Sequence, residues 1–226
     1  MQKIILTLSY LLFYLFPAIT TAAEPVLTSE ITEEQRQTAQ QALNLAVSQF
    51  EKGDYKEAIA NYSKAIDIVP ELPQPYFNRG LAYFQQGELE EAIVDYDKAI
   101  QLDHNYAEAY GSRGSAYFFQ NELNKALVDF DRAIDINPQD ALLYGQRSGV
   151  LIEQGKYEEA IVDLNKAIEI NPGLGEAYVN LAVVNFRIKD YEKSWANVKI
   201  ARQLGAGDFF DPAFLEELQK ASGRAQ

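Results

Sequence analysis

Cysteine is absent from all 226 residues. That excludes disulfides, thiolate nucleophiles, zinc clusters of the cysteine type and a lipid anchor on a leader cysteine. Histidine occurs once, as His104, so no imidazole pair can form a metal site or a relay. A glycine-rich phosphate loop is also missing, because Gly111, Gly114 and Gly149 fall inside helical patterns. Cations are scarce: 20 Lys and Arg face 33 Asp and Glu, a net charge of −13. Such a surface repels phosphate backbones and anionic lipid headgroups, so nucleic acid is excluded as a partner. With no nucleophile, metal site or phosphate site to assemble, neither a cofactor nor an enzymatic activity is expected.

The chain opens with one charge, Lys3, followed by an apolar run from Ile4 to Phe16, then Pro17 and the small, polar stretch Thr20-Thr21-Ala22-Ala23. These are the three parts of a secretory signal, with a small-x-small cleavage site before Glu24, and they make residues 1–23 a signal peptide. The alternative is an uncleaved anchor over residues 4–23, although Pro17 shortens the apolar helix. Either way the lone positive charge holds its end inside and the remainder lies outside the cytoplasm, periplasmic or secreted, or anchored and facing outward. Residues 24–32 form a short tether.

From residue 39 to residue 208 the sequence repeats every 34 residues without insertion or deletion, in blocks 39–72, 73–106, 107–140, 141–174 and 175–208. Small residues recur at Ala46, Gly80, Gly114, Ser148 and Ala182, at Ala58, Ala92, Ala126, Ala160 and Ser194, and at Ala65, Ala99, Ala133, Ala167 and Ala201. Large ones recur at Tyr62, Tyr96, Phe130, Leu164 and Val198. Small columns let helix backbones approach, and the large column fills the remaining space. Apolar spacings of three and four give two amphipathic helices per block. Gly53, Gly87, Asn121 and Gly155 mark the turn within a block; Pro70, Pro138 and Pro172 stop its second helix, with His104 as a plain turn residue in the proline column.

These columns resemble the tetratricopeptide repeat along most of the chain. The resemblance implies an all-α, right-handed α-solenoid of five helix-turn-helix repeats, a concave groove lined by the first helices, and binding of proteins or peptides. Ten helices are expected from about Glu33 to Leu204, the first opened by a capping box of Thr32 and Gln35. Residues 209–226 are expected to form a capping helix and tail: Asp211 caps it, Pro212 opens it, and Phe214, Leu215 and Leu218 share one face.

Two constellations stand out. Arg79, Arg113 and Arg147 occupy one column, and Asp95, Asp129 and Asp163 another sixteen residues on. The outer blocks lack both, so the pairs read as structural bridges within each block. The second constellation is the groove face, with Phe77, Leu81, Phe84, Phe118, Ile152 and Phe186 as an apolar stripe. Asn78, Gln146 and Asn180 are candidate backbone-binding amides, and a hollow is expected over Gly111, Ser115, Gly145 and Gly149. Packing between neighbouring first helices would equally explain the phenylalanines.

Leu43, Val47, Phe77, Glu108, Gly111, Leu142 and Glu176 stand where a clamp for a terminal carboxylate would need cations, so a carboxylate-clamp chaperone tail is excluded. Glu51, Glu108, Glu153 and Glu176 at the edges favour apolar partners with neutral or basic side chains. The sequence thus describes an extracytoplasmic protein-interaction adaptor or assembly scaffold. The alternative is a self-associating structural subunit of an envelope complex.

Overall fold

The computed structural model describes residues 31–223; the leader and most of the tether lie outside the described residues. Every regular element among them is helical: α1 (Glu33–Glu51), α2 (Tyr55–Ile68), α3 (Pro73–Gln86), α4 (Leu89–Leu102), α5 (Ala107–Phe119), α6 (Leu123–Ile136), α7 (Ala141–Glu153), α8 (Tyr157–Ile170), α9 (Gly175–Arg187), α10 (Tyr191–Gln203) and α11 (Pro212–Ser222), with a short 3-10 turn at Gly207–Phe209. The helices form two compact units, one ending at Ile136 and the other beginning at Asn137. In the first, α1 to α6 stack as three antiparallel pairs, each helix packing on the next. In the second, α7 to α10 form two pairs and α11 packs on α10.

Local chemistry sets the ends of these helices. Gln35 N donates to Thr32 Oγ1 at 3.2 Å and Thr32 N donates to Gln35 Oε1 at 2.9 Å, a complete capping box on α1. Asp211 Oδ1 accepts from Ala213 N at 2.7 Å in front of Pro212, so α11 starts where a capped proline allows it. In each pair the turn passes through the left-handed region. Glycine fills it at Gly53, Gly87 and Gly155, but Asn121 (φ +62°) and Lys189 (φ +66°) hold the same conformation with a side chain.

The core of each pair is a fit of unequal volumes. Tyr62, Tyr96, Phe130 and Leu164 are fully buried, and burying side chains of this size stabilises by about 1.5–3 kcal/mol per residue. A Cβ on Gly80 would sit 2.7 Å from Tyr96 Cε1, and one on Gly114 would sit 3.2 Å from Phe130 Cζ. At these two positions a side chain would have to displace the partner ring, whereas in the first pair Ala46 packs in one cluster with Tyr62. Where the partner shrinks to Leu164 or Val198, the small column carries Ser148 or Ala182, both fully buried. The last pair closes on α11 through Phe214 and Leu218, and Trp195 Nε1 donates to Ser222 Oγ at 3.0 Å.

Candidate protein-binding face

The charged columns fold into a ladder. Arg79 donates from Nε and Nη2 to both carboxylate oxygens of Asp95 at 2.8 Å. Arg113 reaches Asp129 at 2.8 and 2.7 Å, and Arg147 reaches Asp163 at 2.8 and 2.6 Å. All three aspartates are buried, so the bidentate pairing offsets a desolvation cost that a lone carboxylate could not carry. Hydrogen bonding to Asp95 raises the Arg79 guanidinium above its ordinary value. Each arginine also lies 5.5–5.8 Å from the ring of the tyrosine three residues before it: Tyr76, Tyr110 or Tyr144.

A third arm of this ladder is not foreseen in the sequence. Arg79 Nη1 donates to Ser63 Oγ at 2.8 Å, and Arg113 Nη1 bonds Asp97. Within the first unit each arginine therefore ties its own pair to the preceding one, α3 to α2 and α5 to α4. Ser63 and Asp97 differ in type, so no conserved-looking column announces the contact. Because these guanidiniums are consumed by structural partners, the ladder is not a ligand site.

The groove candidates separate into core and surface. Phe77 is fully buried, with ring centroids 5.9 Å from Tyr96 and 5.0 Å from Tyr106. Leu81 and Asn78 are buried with it, Ser115 turns its hydroxyl onto Gly111 O at 2.9 Å, and Ile152 and Asn180 are buried in the second unit. Phe186 is only partly buried, but its ring packs 5.5 Å from Phe214, so the capping helix occupies it. Gly111, Gly145 and Gly149 are buried, and none lies open as the floor of a hollow; Gln146 is half-buried. Burial follows because residues four apart on a first helix face the neighbouring pair as much as the solvent. Asn180 retains both amide atoms without a hydrogen-bond partner. The lone histidine, His104, is an exposed turn residue whose Nδ1 lies 2.9 Å from Ile100 O. Asn61 is buried and donates to Gln49 Oε1 at 2.8 Å.

The groove candidates that stay accessible in the first unit meet a third ring. Phe84 at the end of α3 and Phe118 at the end of α5 are half-buried, and Phe119 is 38% exposed. The Phe119 ring makes edge-to-face pairs with both, 5.5 Å from Phe84 and 5.8 Å from Phe118. Column reasoning overlooked Phe119, because its equivalents are Glu51, Gln85, Glu153 and Arg187. The signal present was the Phe118-Phe119 doublet, which no other block carries, although Phe209-Phe210 follows the last one. Glu51 and Glu108 are exposed on the same series of helices.

The profile described as TPR repeat matches residues 48–87, 80–120 and 150–189, and the one described as Tetratricopeptide repeat matches 107–140. The chain belongs to the tetratricopeptide-repeat family. No curated protein matches it in sequence. Among solved structures it is similar to the crystal structure of MamA protein, at 26% identity over 84% of this chain and 98% of that one, with a TM-score of 0.66. The structure of YrrB, a TPR protein with an unusual peptide-binding site, shares the fold at 21% identity and a TM-score of 0.64, covering 83% and 95%. The first TPR of Spaghetti (RPAP3) bound to HSP90 peptide SRMEEVD is 28% identical over 53% of this chain and 94% of that one, with a TM-score of 0.51.

Proposed function

We propose that this tetratricopeptide-repeat protein is a non-enzymatic, extracytoplasmic adaptor or assembly scaffold that holds an extended segment of another protein against its first helices. The observation that carries this reading is the accessible cluster of Phe84, Phe118 and Phe119, three rings in mutual contact at the ends of two neighbouring first helices. Exposed aromatic area costs about 25 cal/mol per Å² to keep in water, so it is retained where a partner covers it. The repeat of Spaghetti (RPAP3) is bound to a peptide, which supports a peptide or protein ligand here. That ligand is acidic, whereas the first helices of this chain carry Glu51 and Glu108 and no clamp cations, so the preferred charge is the opposite one. The location rests on the leader, residues 1–23, which lies outside the described residues; none of the described helices is long and apolar enough to cross a membrane.

A fusion of alkaline phosphatase to residue 226 tests the location, being active only if that end leaves the cytoplasm. Affinity capture from envelope extract on the chain tests the adaptor role; capture of nothing beyond what a helicity-retaining Phe84→Ala, Phe118→Ala, Phe119→Ala variant retains sinks it.

A self-associating subunit is the second reading, favoured by Val94, Val128 and Val162. These stand 34 residues apart on α4, α6 and α8, each 66–67% exposed. Light scattering separates the two: a monomer at micromolar concentration supports the adaptor, and a concentration-dependent oligomer supports the subunit.

A further inference from the structure

We propose that Phe119 is the anchor of this surface and that it takes a partner segment carrying a bulky apolar side chain beside a lysine or arginine. The inference rests on the adaptor reading and adds the identity of the anchor and the chemistry of the segment.

Three observations carry it. Phe119 is held before any ligand arrives: Phe84 from α3 and Phe118 from α5 flank it at 5.5 and 5.8 Å. A rigid aromatic platform loses little side-chain entropy on binding, which is the property that distinguishes energetic anchors from incidental contacts. The position is also singular. The other four blocks carry polar residues there, so the exposed ring serves no repeating structural need.

The third observation is charge. On the first helices in the unit ending at Ile136, Glu51 and Glu108 are exposed. Next to Phe119 in sequence, Gln120 Nε2 donates to Glu90 Oε1 at 2.9 Å, and the exposed Glu122 pairs with Lys125 at 3.4 Å. A cation next to the apolar group would be attracted by these carboxylates and by the Phe119 ring. An acidic segment would be repelled, and so would a second copy of a chain whose net charge is −13.

The test is selection of phage-displayed random dodecapeptides on the full chain, followed by titration of the enriched peptides against wild type, Phe119→Gln and Phe119→Tyr. Glutamine copies the residue that the preceding block carries at Gln85, and circular dichroism checks that helicity is retained. Enriched peptides should pair Trp, Phe or Leu with Lys or Arg, bind Phe119→Gln at least about tenfold more weakly and bind Phe119→Tyr nearly normally. Peptides that bind Phe119→Gln as they bind wild type would overturn the anchor while leaving peptide binding intact. Enrichment of acidic peptides would overturn the charge assignment, and a library yielding no peptide would remove this inference and the adaptor reading together.

Discussion

Arg113 donates from Nε and Nη2 to the two carboxylate oxygens of Asp129 at 2.8 and 2.7 Å while its Nη1 bonds Asp97 on the preceding pair. One side chain thus joins α4, α5 and α6. Replacing it with methionine leaves the buried Asp129 carboxylate without a partner, and a loss of about 3 kcal/mol in urea unfolding is expected. Arg113→Lys should recover little of it, since an ammonium cannot grip two oxygens in one plane. In the double variant with Asp129→Leu the loss should shrink, because the orphaned charge is gone.

Gly80 and Tyr96 form a sized pair, with a Cβ on the glycine placed 2.7 Å from the ring. Gly80→Ser should cost about 1–3 kcal/mol by overpacking. Combined with Tyr96→Leu, the pairing that Ser148 and Leu164 occupy two blocks later, the serine should cost much less. Equal cost in both backgrounds, measured by chemical denaturation, would refute the steric account.

Lys189 holds φ at +66° in the turn between α9 and α10, where three other blocks carry glycine. Its side chain is exposed, so little packing is lost on removal. Lys189→Gly should stabilise the second unit by about 0.5–1 kcal/mol through relief of left-handed strain. Thermal melting of the variant beside wild type reads the sign directly.

Tyr62 is fully buried with no partner for its hydroxyl, and burial together with the nearby Glu51 pushes its phenol well above the ordinary tyrosine range. The folded state keeps a proton that the unfolded chain releases near pH about 10. This contribution to stability is therefore complete below that pH and is lost as pH rises beyond it. Tyr62→Phe should be neutral or stabilising by up to about 1 kcal/mol at neutral pH, because an unsatisfied hydroxyl disappears. Urea unfolding at neutral and at about pH 11 should show a smaller alkaline loss in the variant.

Much of the fold is legible in the sequence because repetition multiplies each local signal. The capping box at Thr32 and Gln35, the cap at Asp211 and the left-handed turn at Gly87 depend on residues within a few positions of one another, so chain order alone specifies them. The pairs Arg79 with Asp95 and Arg113 with Asp129 were equally legible, since a tight turn between antiparallel helices brings residues sixteen apart to one height. Periodicity also sorted large from small columns and so predicted which volumes meet.

It could not say which side of a first helix stays wet. Phe77 and Phe84 carry the same side chain on the same helix, yet one is enclosed by Tyr96 and Tyr106 and the other is left half-open. That difference is set by neighbours contributed from the partner helix and from the chain beyond it, which a pattern along one helix does not contain. The same holds for Ser63 and Asp97 reaching back to the arginines, and for Phe186, taken up by Phe214 of the capping helix. Phe119 breaks the repeat, so periodic reading passed over it, and only the packing of α3 beside α5 turned a doublet of phenylalanines into an exposed ring held from two sides. The sequence by itself determined the helices, their turns and the matched columns, because those forces act over one or two turns of chain. The tertiary structure decided which aromatic residues became core and which became surface, because burial depends on what arrives from elsewhere.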